Sequence, residues 1–188
     1  GGLRENMVPE AGRAVFSGPV DLAFLQEKLA AFTAEYPVTA SLTEEAGRFQ
    51  LEVIGKSAHG ASPASGINGV TYLANFLSQF DFAGPAQAYL TIAGQILHQD
   101  HFGQATGVAY EEEKMGKLTM NAGVFSFDAA SSDNRIALNF RFPQGTDEKK
   151  IQAVLEGVEG VREVSLSQHM HTPHYTPMED ELVSTLLS

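Results

Sequence analysis

Apolar residues recur along this chain with two different periods, and the switches between them mark its elements. Leu22, Leu25, Leu29, Phe32 and Tyr36 stand three or four residues apart. That spacing predicts one face of a helix, with Asp21 as its cap and Pro37 as its stop. Phe49, Leu51 and Val53 instead alternate with Gln50 and Glu52, which predicts a half-buried strand over Arg48 to Ile54. Shorter strands are expected over Arg13 to Ser17, broken by Gly18-Pro19, and over Val38 to Leu42. A second helix is expected from Ile67, Val70, Leu73, Leu77 and Phe80, and a third over Ala86 to Phe102.

Past a loop at Gly103-Gln104-Ala105-Thr106-Gly107 and an exposed charged stretch at Glu111 to Lys114, the pattern turns back to period two. Lys117 to Phe127 and Asn134 to Phe142 predict a hairpin across Ala129 to Asp133. In its second strand Ile136, Leu138, Phe140 and Phe142 share one face, and Arg135, Asn139 and Arg141 share the other. Thr146 or Asp147 should cap a helix with Ile151, Val154, Leu155 and Val158 inward, followed by a strand over Val161 to Met170. Thr172 to Pro177 reads as extended, and Glu179 to Leu187 as the beginning of a helix.

This order predicts an α+β fold, a mostly antiparallel sheet with helices on one face. Two ferredoxin-like halves sharing one sheet are expected, although no sequence repeat relates them. The expected division is a first half over 1–83, a second half over 84–178, and over 179–188 a helix entering a following domain.

The chain has 188 residues, 43% of them hydrophobic and 19% charged, which suits a globular protein with a sizeable core. No apolar run is long enough to span a bilayer, and the polar opening Gly1 to Asn6 is unlike a signal peptide. Cysteine is absent, so disulfides and thiolate zinc sites are excluded and a cytoplasmic location is expected. The net charge of −11 opposes nucleic acid as a partner. The lack of an initiator Met suggests an excised fragment.

The candidate chemistry starts at Ser57-Ala58-His59-Gly60-Ala61-Ser62-Pro63, a histidine in a loop of small residues just before a helix. An imidazole there donates hydrogen bonds, takes up charge or binds metal, and a nearby helix N-terminus favours an anionic ligand. Arg141 carries a planar fork that fits a carboxylate, and Asn6 offers an amide ahead of Met7-Val8-Pro9. Each also has a plainer reading, as a turn histidine, an exposed strand arginine and a turn asparagine. His169 and His171, with His174 nearby, have a spacing that could hold metal, but no carboxylates accompany them. His98, Asp100 and His101 read as structural, and Glu44-Glu45 as a solvated pair in a hairpin turn. Serines 57, 62 and 65 lack a nucleophile elbow, and no phosphate-binding glycine loop is present.

Three segments together resemble the lid of the cocatalytic zinc metallopeptidases, the family of PepV-type dipeptidases, carnosinases, aminoacylases and succinyl-diaminopimelate desuccinylase. They are Asn6-Met7-Val8-Pro9, then Gly55 to Pro63 with Gly66-Ile67-Asn68, then Arg141-Phe142-Pro143-Gln144-Gly145, in the family's order. The long spacing from His59 to Arg141 and the tail His171 to Pro177 resemble the double-sized lid of the PepV type, and the similarity covers nearly the whole chain. The resemblance implies that His59 stabilises the tetrahedral intermediate, that Asn6 orients a bound dipeptide, and that Arg141 holds its C-terminal carboxylate. It implies two zinc ions in the parent enzyme and none in this piece, whose partners would be a dipeptide and its own catalytic domain, in a monomeric protein. The family's zinc ligands flank the lid in sequence and are not found here. The alternative from another class is a non-catalytic dimerisation or binding module.

Overall fold

The computed structural model describes residues 1–167 and the backbone of 180–187. It is α+β with antiparallel pairing throughout its named strands. The first part runs β1 (Met7–Val8), β2 (Ala11–Phe16), α1 (Leu22–Glu35), β3 (Thr39–Glu45), β4 (Arg48–Ile54), β5 (Ala58–His59) and α2 (Gly69–Leu77). Strands β2, β4 and β3 form one sheet in that order. Asp21 accepts from Phe24 N at 2.7 Å to cap α1, as expected. Ala46 and Gly47, both at positive φ, make the two-residue turn from β3 to β4. Glu44 and Glu45 sit at that end of β3, exposed as expected.

Leu51 and Val53 on β4 meet Leu29 and Phe32 from α1 and Tyr72, Leu73, Phe76 and Leu77 from α2. Phe76 is 1% exposed and lies 5.3 Å, ring to ring, from both Phe32 and Phe80. Burying such a side chain contributes roughly 1.5–3 kcal/mol. Val70 and Ala74, on the other side of α2, belong to the second core, so this helix serves both.

The second core lies under β8 (Thr119–Ser126) and β9 (Arg135–Phe142). Ahead of them come α3 (Pro85–Thr91), a π-helical segment (Ile92–Ile96), and a small hairpin of β6 (Glu111–Glu112) and β7 (Gly116–Lys117). After them come α4 (Glu148–Glu156), capped by Asp147 on Lys150 N, then β10 (Glu163–Ser167) and β11 (Asp180–Leu187). The sheet order is β10-β11-β9-β8. Met120, Ala122 and Phe125 face Phe140, Leu138 and Ile136 in the core. A bulge at Gly123 shifts the alternation by one residue and returns Phe125 to the apolar side.

Four expectations are corrected. The two halves do not share one sheet among the described residues: pairing ends at β2 on one side and β8 on the other. Instead Gly1 meets β8, its nitrogen donating to Phe125 O at 2.9 Å and its carbonyl accepting from Phe125 N at 2.8 Å. The helix expected over 179–188 is strand β11, paired along its length with β9 and in part with β10. Leu182, Val183, Leu186 and Leu187 satisfy a helical spacing as well as a strand, and the open backbone groups of β9 and β10 decide between them. The third helix does not reach Phe102. Gly94 lies against the backbone of α2, where a Cβ would stand 2.4 Å from Ala74 C, and the helix widens to π there. Lastly, Ile151 and Leu155 of α4 point inward, Val158 packs partly, and Val154 is exposed. Expectations for Gln168 to Glu179 lie outside the described residues.

His98 is held against α2, its Nδ1 2.9 Å from Thr71 Oγ1 and its ring edge-on to Tyr72 at 4.3 Å. Burial, helped by nearby His101, pushes its pKa down to about 4. The unfolded chain therefore binds a proton near pH 6.5 that the folded chain refuses until about pH 4. Stability from this group should fall as pH drops through that window and level off below it. Urea unfolding midpoints between pH 7.5 and 4.5 should fall less steeply in His98→Asn than in the parent chain; equal slopes would contradict this origin.

Candidate functional site

Strands β8 and β9 turn their second face away from the core, and it carries Thr119 and Asn121 beside Arg141 and Asn139. Asn121 is 2% exposed and donates its amide to two carbonyls of the N-terminal segment, Glu5 O at 2.7 Å and Met7 O at 2.9 Å. The segment carrying Asn6 therefore lies on this face. Met7 in turn pairs with His59 across β1 and β5, and Asn6 O accepts from Gly60 N at 2.6 Å. By this chain of contacts the fold brings Asn6, His59 and Arg141 to the same side of the β8–β9 pair.

His59 and Asn6 are exposed. The Ala61 N–H donates to His59 Nδ1 at 3.0 Å. A backbone N–H only donates, so Nδ1 must present its lone pair and the neutral ring carries its proton on Nε2. His59 thus offers a donor to whatever approaches its free nitrogen. Its expected place just before a helix is corrected: a 3-10 turn (Pro63–Ser65) follows, and α2 starts only at Gly69. The first free amides of α2, at Val70 and Thr71, are taken by Asn68 Oδ1, so the end of that helix is not open to a ligand.

Arg141 is half-buried. Its Nε is buried with no hydrogen-bond partner among the described residues, and so is Oγ1 of Thr119, its direct cross-strand neighbour. Each such group forgoes roughly 1–3 kcal/mol while unpaired. An N–H and a hydroxyl, adjacent and unpaired among the described residues, suit a carboxylate oxygen. Thr119 and Asn121 were not singled out from the sequence. Their signal was the same alternation that gave Arg141, read one strand earlier.

A cavity of about 20 Å³ lies beside Asn121, Asn68 and His101, with room for one water molecule. It is far too small for a dipeptide. Among the described residues no three His, Asp, Glu or Cys side chains gather as a metal site, so these residues do not fit zinc. Asp100 spends its carboxylate on Ala105 N, Thr106 N and Thr106 Oγ1. His169, His171 and His174 lie outside the described residues. No described helix is long and apolar enough to cross a membrane.

No family model matches the chain. It is similar along nearly its whole length to dipeptidases. It is 32% identical over 187 residues to the Beta-Ala-Xaa dipeptidase of Lactobacillus delbrueckii subsp. lactis, which covers 99% of this chain and 39% of that protein. A putative dipeptidase of Staphylococcus saprophyticus is 25% identical over 189 residues, covering 99% of this chain and 40% of that protein. One from Staphylococcus aureus strain USA300 is 28% identical, covering all of this chain and 40% of its own length. The chain thus spans about two fifths of the length of the curated relatives it matches.

The His59 loop approaches Asn6 closely enough to require glycine next to it. A Cβ on Gly60 would stand 2.8 Å from Asn6 O and 2.9 Å from Asn6 C. Gly60→Ala should push the two segments apart and cost roughly 1–3 kcal/mol. Nitrogen-15 spectra of the His59 ring should show the Nε2–H form in the parent chain and a tautomer mixture in the variant. A mixture in the parent chain would contradict the Ala61 contact.

Proposed function

We propose that this chain is the substrate-clamping lid of a zinc-dependent dipeptidase and that His59, Asn6 and Arg141 are its contribution to the active site. The observation that supports this most is the pair of buried groups without a partner among the described residues, Arg141 Nε and Thr119 Oγ1, on the face to which Asn121 draws Asn6 and the His59 loop. A dipeptide's terminal carboxylate would accept from the guanidinium and from the threonine hydroxyl. The Nε2–H of His59 would donate to the oxygen that becomes negative when water adds to the peptide carbonyl. One such donor is worth about a hundredfold or more in rate. Asn6 would orient the peptide through its amide. Similarity to dipeptidases over the whole chain supports the substrate class.

On this reading the ligands for zinc lie in the remaining three fifths of the protein. Zinc bound there would activate the attacking water. The described residues contribute clamping, orientation and exclusion of bulk water. The alternative of a dimerisation module rests on β3, which among the described residues pairs with β4 alone. Light scattering over a range of concentrations decides it: a monomer is expected, and a tight dimer would favour the alternative.

In the full-length dipeptidase, His59→Ala should lower kcat about a hundredfold, and an unchanged kcat would remove the oxyanion role. Arg141→Ala should raise KM for dipeptides with a free carboxylate much more than for their amides, with Thr119→Val following in the same direction to a smaller extent. Equal losses on both substrate types would refute the carboxylate assignment. The 188-residue chain alone should cleave no dipeptide with zinc added.

A further inference from the structure

Asn121 grips the backbone on both sides of Asn6, because the two carbonyls it serves belong to Glu5 and Met7. The contacts then run directly to His59, through Asn6 O to Gly60 N and through the pairing of Met7 with His59. The surface beneath is shaped to receive this segment. Gly123 occupies the bulge of β8, and a Cβ there would lie 2.6 Å from Glu5 Cα and 2.8 Å from Arg4 O. Asn68 makes a second tie, donating to Ala122 O at 2.9 Å while its oxygen caps α2.

We propose that Asn121 is a positioning residue that sets where Asn6 and the His59 loop stand over the β8–β9 face. The side chain suits the task for chemical reasons. A primary amide has two N–H donors in one plane, and the short stem of asparagine keeps them close to the strand. Aspartate would turn lone pairs toward both carbonyls, and leucine would fill the space without donating. The consequence for catalysis rests on the proposed function above; the positioning does not.

Asn121→Ala empties the contact next to the water-sized cavity, so water can reach the released carbonyls. The segment should then loosen locally. Asn121→Thr keeps a strand-forming residue with one donor and serves if the alanine variant folds poorly. Amide hydrogen exchange on the 188-residue chain reads the effect. Gly60 N–H should exchange roughly tenfold faster in Asn121→Ala, with an intermediate change in Asn121→Thr, while α1 and β4 stay as protected as in the parent. Unchanged protection at Gly60, or equal loss across β4 and β9, would overturn the proposal. In the full-length enzyme Asn121→Ala should lower kcat and, through Asn6, raise KM, and its loss in kcat should grow little when added to His59→Ala. Losses in kcat that multiply in the double variant would overturn action through His59. If His59→Ala alone leaves kcat intact, the proposed function fails, and the exchange experiment still decides the positioning.

Discussion

A buried amide on strand β8 gives both of its N–H groups to backbone carbonyls more than a hundred residues away in sequence. That interaction depends on β8 and β9 having unlike faces. One face is apolar and sealed: Ile136, Leu138 and Phe140 are each at most 1% exposed. The other carries Thr119, Asn121, Asn139 and Arg141. A polar side chain on that face is removed from water once the N-terminal segment covers it, so it must find a partner or remain costly. Asn121 finds two. The segment is thereby tied to the sheet, and the His59 loop is tied to the segment.

Two residues along the strands, Arg141 Nε and Thr119 Oγ1 are buried with no hydrogen-bond partner among the described residues. His59 is oriented locally. Its Nδ1 accepts from its own loop, which leaves the Nε2–H as the ring's donor. Small residues make this possible, since Gly60 permits close approach to Asn6 and Gly123 permits close approach to Glu5.

Much of this was legible from residue periods. The alternation in Arg48 to Ile54 located β4 to the residue, and the parity of Ile136 to Phe142 separated the core face from the face of Arg141. Asp21, and Asp147 as one of two candidate caps with Thr146, announced their helices because a carboxylate at an N-cap has a local partner. What was not legible depended on distant parts of the chain. The strand at Asp180–Leu187 fits either period, and its form is settled by backbone groups on β9 and β10. The π-helical widening answers the approach of α2 to Gly94. Asn121 looks in sequence like any polar strand residue, because its value lies in two carbonyls that only the fold brings near.

The most direct test of the account is a nuclear Overhauser spectrum of the 188-residue chain, read at the side-chain amide of Asn121. Its protons should show cross-peaks to the backbone of Asn6 and Met7, and the Gly60 amide should show one to Asn6. If the Asn121 amide sees only strand neighbours, the N-terminal segment does not sit on the β8–β9 face, and Asn6, His59 and Arg141 have no common surface.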